Sequence, residues 1–430
     1  MKKIFVFVFA ALIVLAFTSP SQAVKVTKNL DIGVKLLVDA YYYNQDKEGM
    51  ARTVGSARSA GLIKGTTTLE EDLTQTYLTI NSRSSLYFIF NDEDKVGFYI
   101  APNIDGENYN LGVLYAYGFW NVTPDFRIQT GRGTTLFSDL EPDTTMGCNV
   151  GAEAFSTINK MYGVGYGNYF SGYTTYFQVA YRLGDMGHVK VGIVDPRATS
   201  SDDAKNVIGI SSNSKTVAID PSTKIPRLEL AVPVHFGGVS LHPSVFWQKQ
   251  TFNNVQAGHD DSVTSYGVSL GVKADFKPIF FKAEVNYGEN WGNTKDQTYT
   301  LKEPDYATFG SQVSSAKADT SGKIQNSEAL GWWLQAGIRL GKAEPSIIIG
   351  RQEFSREYDN LKDEMKTMMY GITCPIDITP GFKIRPEIMI YDNGDSNKIA
   401  VKGTSTIPTT NYEYDFGKEL LAGIQFEFTF

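Results

Sequence analysis

Residues 422–430, AGIQFEFTF, end the chain with a strict alternation of apolar and polar side chains. The apolar members are Ile424, Phe426, Phe428 and Phe430, and the polar members are Gln425, Glu427 and Thr429. Because successive side chains of a strand point to opposite faces, the segment is predicted to form a strand with one apolar and one polar face.

The same period of two recurs along the chain, whereas helical periodicity is nearly absent. It is clearest in Ile279–Tyr287 and in Phe382–Ile390, where apolar residues again occupy every second position. We count sixteen such segments, most of them about ten residues long, which is the length that a tilted strand needs to cross a bilayer. The chain is therefore predicted to be all-β.

Connection lengths separate a soluble sandwich from a membrane barrel, because both show this alternation. Every second connection is a tight turn, such as Asn91–Asp94, Gly237–Gly238 or Lys277–Pro278. The connections between them are mostly long, and the longest are Gln45–Glu71, Gly133–Ser171, Pro196–Lys224, Trp291–Ser327 and Asn393–Phe416. This sorting predicts a transmembrane antiparallel barrel with short periplasmic turns and long external loops.

The N-terminus has the three parts of a secretory signal peptide. A basic start at Lys2 and Lys3 precedes the apolar run Ile4–Phe17 and the small-residue site Ser21–Ala23. We predict that residues 1–23 are cleaved and that residues 24–430 form one barrel domain. The net charge of −7 makes nucleic-acid binding a poor expectation, and a composition of 42% hydrophobic residues excludes a disordered chain.

The final strand, ending at Phe430 with aromatics at alternate positions, resembles the C-terminal signature of Gram-negative outer-membrane barrels. Sixteen strands with a long connection after the fifth resemble the general porins. The resemblance implies that Gly133–Ser171 folds into the lumen as the third loop and narrows it. It also implies an outer-membrane location among lipid and lipopolysaccharide, recognition of the last strand by the barrel-assembly machinery, and a homotrimer.

Strand parity gives an expected set of charges on the pore wall. The bases are Lys35, Arg83, Lys95, Arg127, Arg182, Lys190, Arg227, Lys273, Lys282, Arg339, Arg351, Lys383 and Arg385. The acids are fewer, namely Asp39, Glu229, Asp275, Glu284, Glu353, Glu387 and Glu427. Of these bases, the ones predicted to act in the pore are Lys35, Arg83, Arg127, Arg182, Arg351, Lys383 and Arg385. Arginine is preferred for its rigid, permanent charge.

The third loop is expected to carry the opposite charge. Its acids are Asp139, Glu141, Asp143 and Glu153, with Lys160 as its only base. We predict that these acids form the pore constriction. In general porins such an arrangement gives a transverse field that orients polar solutes, and the resemblance implies the same here.

Parity also makes two predictions about neutral side chains. Tyr109, Tyr115, Tyr117 and Phe119 are expected on the lipid-facing side of the fourth strand. Five glycines are expected to face inward and to favour an open lumen, namely Gly112, Gly267, Gly271, Gly331 and Gly337.

An enzyme is not expected. The four histidines, His188, His235, His242 and His259, are scattered, and no metal-binding pair or nucleophile motif is present. No cofactor is predicted, although acidic loop clusters such as Ser201–Asp203 and His259–Asp261 could supply oxygen ligands to calcium. Cys148 and Cys374 are expected to be two free thiols rather than a disulfide.

The sequence therefore predicts an outer-membrane porin for passive diffusion of small hydrophilic solutes and ions. Two alternatives stay open. A substrate-selective channel for an anion, sugar or carboxylate would use the wall as a binding ladder. A structural or adhesive barrel would have a sealed lumen and bind through loops such as Trp291–Ser327 or Pro196–Lys224.

Overall fold

The computed structural model describes residues 24–27, 29–46, 73–104, 111–146, 161–169, 173–195, 221–252, 257–294, 314–319, 321–358, 361–400, 411–415 and 417–430. In these residues no helix is long and apolar enough to cross a membrane. The predicted signal peptide lies outside the described residues.

Within the described residues, sixteen antiparallel strands form the barrel. The first eight are β1 (Leu30–Gln45), β2 (Leu73–Ile80 and Ser85–Asp92), β3 (Val96–Ile104), β4 (Leu111–Asn121), β5 (Phe126–Gly133), β6 (Thr174–Arg182), β7 (His188–Val194) and β8 (Pro221–Ala231 and Val234–Phe236). The second eight are β9 (Val239–Phe252), β10 (Ser262–Phe276), β11 (Ile279–Glu289), β12 (Ser327–Ile338), β13 (Ser346–Tyr358), β14 (Leu361–Thr373 and Ile376–Thr379), β15 (Phe382–Asp392, extended by Asp395–Ala400) and β16 (Asn411–Asp415 and Lys418–Thr429).

The sheet closes because the last strand pairs with the first. β16 and β1 are in register from Lys35 opposite Thr429 to Gln45 opposite Glu419. The terminal residue extends the ladder, since Phe430 and Val34 exchange two backbone hydrogen bonds of 2.9 Å. The short N-terminal strand Val24–Thr27 pairs with the first residues of β1, from Leu30 to Ile32. The predicted sixteen-stranded closed barrel is confirmed, and closure leaves no unpaired edge.

The tight connections lie at one end of the barrel, and the long ones at the other. One of the two-residue turns, Gly237–Gly238, joins β8 to β9, and Gly237 adopts a φ of 57° that favours glycine. The long connections include the one from β5 to β6, whose described residues are 134–146, 161–169 and 173.

The two faces of the strands have opposite chemistry. On β11, Phe281, Val285 and Tyr287 are exposed on the outside, whereas Glu284 and Asn286 are buried on the inside. Exposure also alternates on β13, where Ile347 on the outer face is 58% exposed and Ile348 on the inner face is 2% exposed. An apolar outer face of this extent is costly in water and suits contact with hydrocarbon.

The fourth strand departs from the predicted parity. A bulge at Leu114 shifts the register, because Ala101 of β3 pairs with Tyr115 while Pro102 pairs with Val113. Both Gly112 and the aromatic residues beyond the bulge therefore face inward. The prediction that Tyr115, Tyr117 and Phe119 face the lipid is wrong, and Tyr109 lies outside the described residues.

A small two-stranded ribbon, Lys317–Ala318 with Ile324–Gln325, stands in the long connection between β11 and β12. Asp319 holds its turn by accepting hydrogen bonds from Ser321 Oγ at 2.7 Å and from the Lys323 backbone N–H at 2.9 Å. These hydrogen bonds lower the pKa of Asp319 to about 2, and the bond from the Ser321 hydroxyl has the largest effect.

The ribbon should therefore loosen only in strong acid. The stabilisation by Asp319 is fully present above its unfolded pKa of about 3.9 and is lost as the pH falls through about 2. We expect pepsin to cleave residues 314–325 faster at pH 2 than at pH 4, relative to an unstructured peptide of the same sequence. Asp319→Asn should already be cleaved rapidly at pH 4. Equal relative cleavage of the wild type at both values would contradict this role.

Candidate functional site

We call the connection from residue 134 to residue 173 loop 3. Its described part contacts inward-facing side chains of the barrel wall. The backbone N–H groups of Leu136 and Phe137 donate to Glu229 Oε2 of β8 at 2.6 and 3.3 Å. A carboxylate that accepts two backbone donors fixes the start of the loop against this strand.

Hydroxyl groups of loop 3 continue the attachment around the wall. Ser138 Oγ donates to Glu284 of β11 at 2.5 Å, and Thr144 Oγ1 donates to Glu387 of β15 at 2.7 Å. Thr145 Oγ1 donates to Gln425 of β16 at 2.7 Å. These contacts join the loop to strands on one side of the barrel, β8 to β16. Several of the expected wall acids thus bind the loop.

The returning part of loop 3, residues 161–169, is held by its backbone carbonyls. The Gly165 carbonyl accepts from Thr367 Oγ1 of β14 at 2.5 Å, and the Gly167 carbonyl accepts from Asn286 Nδ2 of β11 at 2.9 Å. An aromatic cluster packs beneath it, formed by Phe137, Tyr169, Phe246 and Trp291 with ring centroids 4.7–6.5 Å apart. The loop therefore has its own apolar core.

Inward glycines make room for this loop. A Cβ on Gly271 would lie 2.6 Å from Leu140 Cδ1, and one on Gly350 would lie 2.3 Å from the Tyr166 carbonyl oxygen. A Cβ on Gly267 would meet Phe137 at 2.8 Å. Of the expected inward glycines, Gly267 and Gly271 do face inward, but loop 3 covers them, so their small size does not by itself indicate an open lumen.

The acids of loop 3 meet bases of the wall. Asp143 lies 2.8 Å from Lys282 Nζ and also binds the Gln335 amide through its own carboxylate and N–H. Asp139 lies 3.0 Å from His242 Nδ1. Glu153 lies outside the described residues.

Glu141 lies near the positive charges of Arg83 and Lys282. Burial raises the pKa of Glu141, and the nearby Arg83 and Lys282 partly oppose that rise. Glu141 is therefore protonated more readily than an exposed glutamate, and its charge depends on the two bases.

A buried ion pair fixes the wall where loop 3 begins. Arg227 Nε lies 2.8 Å from Glu229 Oε1, and the two side chains are 2% and 0% exposed. The Arg227 guanidinium also stacks over Phe246, 4.1 Å from the ring centroid. Because Glu229 accepts the loop N–H groups as well, the pair links the wall to the loop.

Four predicted wall bases face inward near other charges. Arg385 donates to the Asp143 carbonyl at 3.2 Å and to Thr145 Oγ1 at 2.8 Å, so it contacts loop 3 directly. Lys35 pairs with Glu427 at 3.5 Å, and Lys383 pairs with Asp377 at 3.4 Å. Arg83 stacks on the Tyr162 and Tyr173 rings at 4.8 Å.

Of the three other predicted wall bases, two face inward at the rim of the barrel and one faces outward. Arg127 and Arg182 lie at the short-turn end, where they bind Asn121 and Asp185. Arg351 is on the outward face of β13 and pairs with Glu353 at 2.5 Å, which corrects the expectation that both line the pore. The run of three isoleucines at 347–349 has no alternation, so it conceals the parity of this strand.

Several residues that organise the site were not expected from the sequence. Gln335 forms two hydrogen bonds with Asp143. Asn81 Nδ2 donates to Asp39 at 2.8 Å and to the Thr145 carbonyl at 3.0 Å. Parity places Gln335 on an inward face, but nothing in its spacing indicates a partner 192 positions away. The pairing of His242 with Asp139 likewise has no signal in the sequence.

The possible calcium ligands do not converge in the described residues, where no group of three or more His, Cys, Asp or Glu side chains could hold a metal. Asp260 accepts from Lys323 Nζ and the Ile324 N–H instead. Residues 201–203 lie outside the described residues, as does Cys148. Cys374 is half-buried beside the break in β14.

No protein-family model matches this chain, and no curated protein matches its sequence. Solved structures do match its fold. The outer membrane channel DcaP of Acinetobacter baumannii superimposes with a TM-score of 0.59 at 15% identity, over 96% of this chain and 100% of that chain. An anion-selective porin from Comamonas acidovorans gives 0.50 at 10% identity, over 93% and 99%.

Salmonella typhi OmpF, solved in complex with daunomycin, also gives a TM-score of 0.50, at 12% identity over 95% of this chain and 100% of that chain. Superpositions of this quality at such low sequence identity establish a shared fold and nothing finer. Together with the closed sixteen-stranded sheet, they show that this chain has the β-barrel fold of outer-membrane porins and channels.

Proposed function

We propose that this protein is an outer-membrane porin of a Gram-negative cell, through which small hydrophilic solutes and ions diffuse passively. In this proposal it is not an enzyme and needs no cofactor. The observation that carries the proposal is the position of loop 3, whose acids Asp139 and Asp143 meet His242 and Lys282 on the inner wall. The apolar outer face of the strands supports placement in a bilayer.

The proposal includes the route to that membrane. Residues 1–23 act as the cleaved signal peptide, and the barrel-assembly machinery binds the terminal strand that ends at Phe430. The short turns face the periplasm, and the long connections face outward, so that lipid and lipopolysaccharide surround the barrel. Three copies form the native channel.

Loop 3 sets the charge of the narrowest part of the pore. Asp139, Glu141, Asp143 and Glu153 provide its negative side. Arg83 and Arg385 belong to its positive side, together with Lys282. Lys35 and Lys383 line the wall nearer the short turns. Because the fixed charges of both signs attract water and polar solutes, the constriction disfavours apolar solutes.

Neutralising the loop acids should shift ion preference. In the triple variant Asp139→Asn, Glu141→Gln, Asp143→Asn, the wall bases His242, Lys282 and Arg83 lose their negative partners. We expect the reversal potential in a salt gradient across a planar bilayer to move toward anion preference. We also expect wild-type current to appear in steps that are multiples of three.

A matched control removes the same charge far from the loop. Asp94→Asn, Asp125→Asn, Asp185→Asn changes three acids of the short turns and should leave the reversal potential near the wild-type value. Equal shifts in both triple variants would refute a constriction role for loop 3. Folded protein without any conductance would refute the porin and favour the structural or adhesive barrel.

A second candidate is a substrate-selective channel. The observation that favours it is a run of inward tyrosines on β3 and β4, which free diffusion does not require. Current that saturates with one solute and is blocked by it would support this candidate.

A further inference from the structure

The inner wall opposite the attachment of loop 3 is aromatic. Tyr99 of β3 lies 5.6 Å, centroid to centroid, from both Tyr115 and Tyr117 of β4. Tyr115 also contacts Tyr173, at 5.0 Å and nearly edge to face. We call these four residues the tyrosine track. The bulge at Leu114 creates it, because it turns the β4 tyrosines inward.

Polar groups bracket the tyrosine track. The Arg83 guanidinium lies over the Tyr173 ring, and Arg127 lies 4.5 Å from the centroid of Phe119, the next inward residue of β4. Beside the track, Gln129 of β5 donates to the Tyr176 hydroxyl at 2.5 Å. A molecule on the track would thus have rings along its length and hydrogen-bonding groups at both ends.

The hydroxyls of three of these tyrosines are available. Tyr99, Tyr115 and Tyr117 are half-buried, and within the described residues their hydroxyl oxygens have no hydrogen-bond partner and are not sealed from the lumen. A side chain needed only for packing would serve equally well as phenylalanine. Hydroxyls on a lumenal aromatic surface suit a ligand that uses both the ring and the hydroxyl.

We propose that the tyrosine track is a saccharide-binding subsite of the channel, an inference that rests on the proposed porin function. One face of a pyranose ring presents C–H groups that pack on an aromatic ring. Its edge carries hydroxyls that donate to and accept from Tyr99, Tyr115 and Tyr117. Adjacent rings 5.6 Å apart are close enough for one sugar unit to contact two of them.

The surrounding charges disfavour apolar aromatic solutes and small anions. An apolar aromatic solute would gain from the rings but would pass the charges of Arg83 and Glu141 without compensating them. A small anion would find the nearest guanidinium groups already stacked on aromatic rings, with the acids of loop 3 nearby. A neutral, polyhydroxylated ring is not repelled by either sign of charge, and it can contact the aromatic rings and the hydrogen-bonding groups together.

Maltohexaose is the probe, used with the full-length, detergent-folded protein. Calorimetric titration measures binding without requiring conduction, and planar-bilayer recording measures block of the current. We expect saturable binding by the wild type and concentration-dependent block. Tyr99→Ala, Tyr117→Ala should weaken binding by about tenfold, since two ring contacts are lost. Tyr99→Phe, Tyr117→Phe should weaken it less, because the rings remain.

Tyr181→Ala is the matched control, because Tyr181 is an aromatic residue on the outer face of β6, 53% exposed. It should leave maltohexaose binding unchanged. Conduction without sugar binding would overturn the subsite and leave the porin intact, whereas sugar binding without conduction would overturn the porin and leave the subsite. Tighter binding of benzyl alcohol than of the sugar, or equal losses in Tyr181→Ala and the double variant, would also overturn the subsite.

Discussion

Replacing Arg227 by methionine should lower the free energy of unfolding by about 3–5 kcal/mol, the usual cost of breaking a buried ion pair from one side. The Arg227 Nε atom lies 2.8 Å from Glu229 Oε1, and neither side chain is more than 2% exposed. Without the guanidinium, the buried carboxylate that anchors Leu136 and Phe137 of loop 3 loses its ion pair with Arg227. Reversible guanidinium chloride unfolding in lipid vesicles would measure the loss.

Two further variants separate pairing from burial. Arg227→Met, Glu229→Gln keeps an acceptor for the loop N–H groups and removes both charges, so it should cost less than Arg227→Met alone. Lys95→Met breaks the exposed pair with Glu93, where the lysine side chain is 76% exposed, and should cost less than about 1 kcal/mol. A loss for Arg227→Met as small as that for Lys95→Met would show that the pair does not hold the wall.

The barrel itself was predictable because two solvents act on every strand. Lipid outside and polar groups inside impose a period of two, and the segment 422–430 shows it without exception. The prediction failed where that signal is absent or shifted. Ile347–Ile349 carries no alternation, so the face of Arg351 was misassigned, and the extra residue Leu114 reverses the parity of β4.

The attachment of loop 3 was much harder to predict. Thr144 meets Glu387 across 243 positions, and Ser138 meets Glu284 across 146. A hydroxyl that donates to a carboxylate has no characteristic spacing in sequence, so such a pair leaves no motif. Charge alone suggested that wall acids would face the pore, whereas Glu229, Glu284 and Glu387 bind the loop.

Gly350→Ala should release part of loop 3 and, if the barrel conducts as proposed, raise its single-channel conductance. A Cβ at this position would lie 2.3 Å from the Tyr166 carbonyl oxygen, closer than real Cβ contacts. The loop backbone must then move, which strains the neighbouring hydrogen bonds at Gly165 and Gly167. We expect an overpacking cost of about 1–3 kcal/mol and faster hydrogen exchange in residues 161–169.

Gly118→Ala supplies the matched control, because its Cβ would find only the Gly97 carbonyl, at an ordinary 3.6 Å. It should leave both the conductance and the exchange rates at wild-type values. The two measurements test separate links, since exchange reports whether the loop is held by contact at Gly350 and conductance reports whether that loop narrows a pore. Faster exchange with unchanged conductance would leave the attachment standing and refute the constriction. Unchanged exchange would refute the steric role of Gly350 itself.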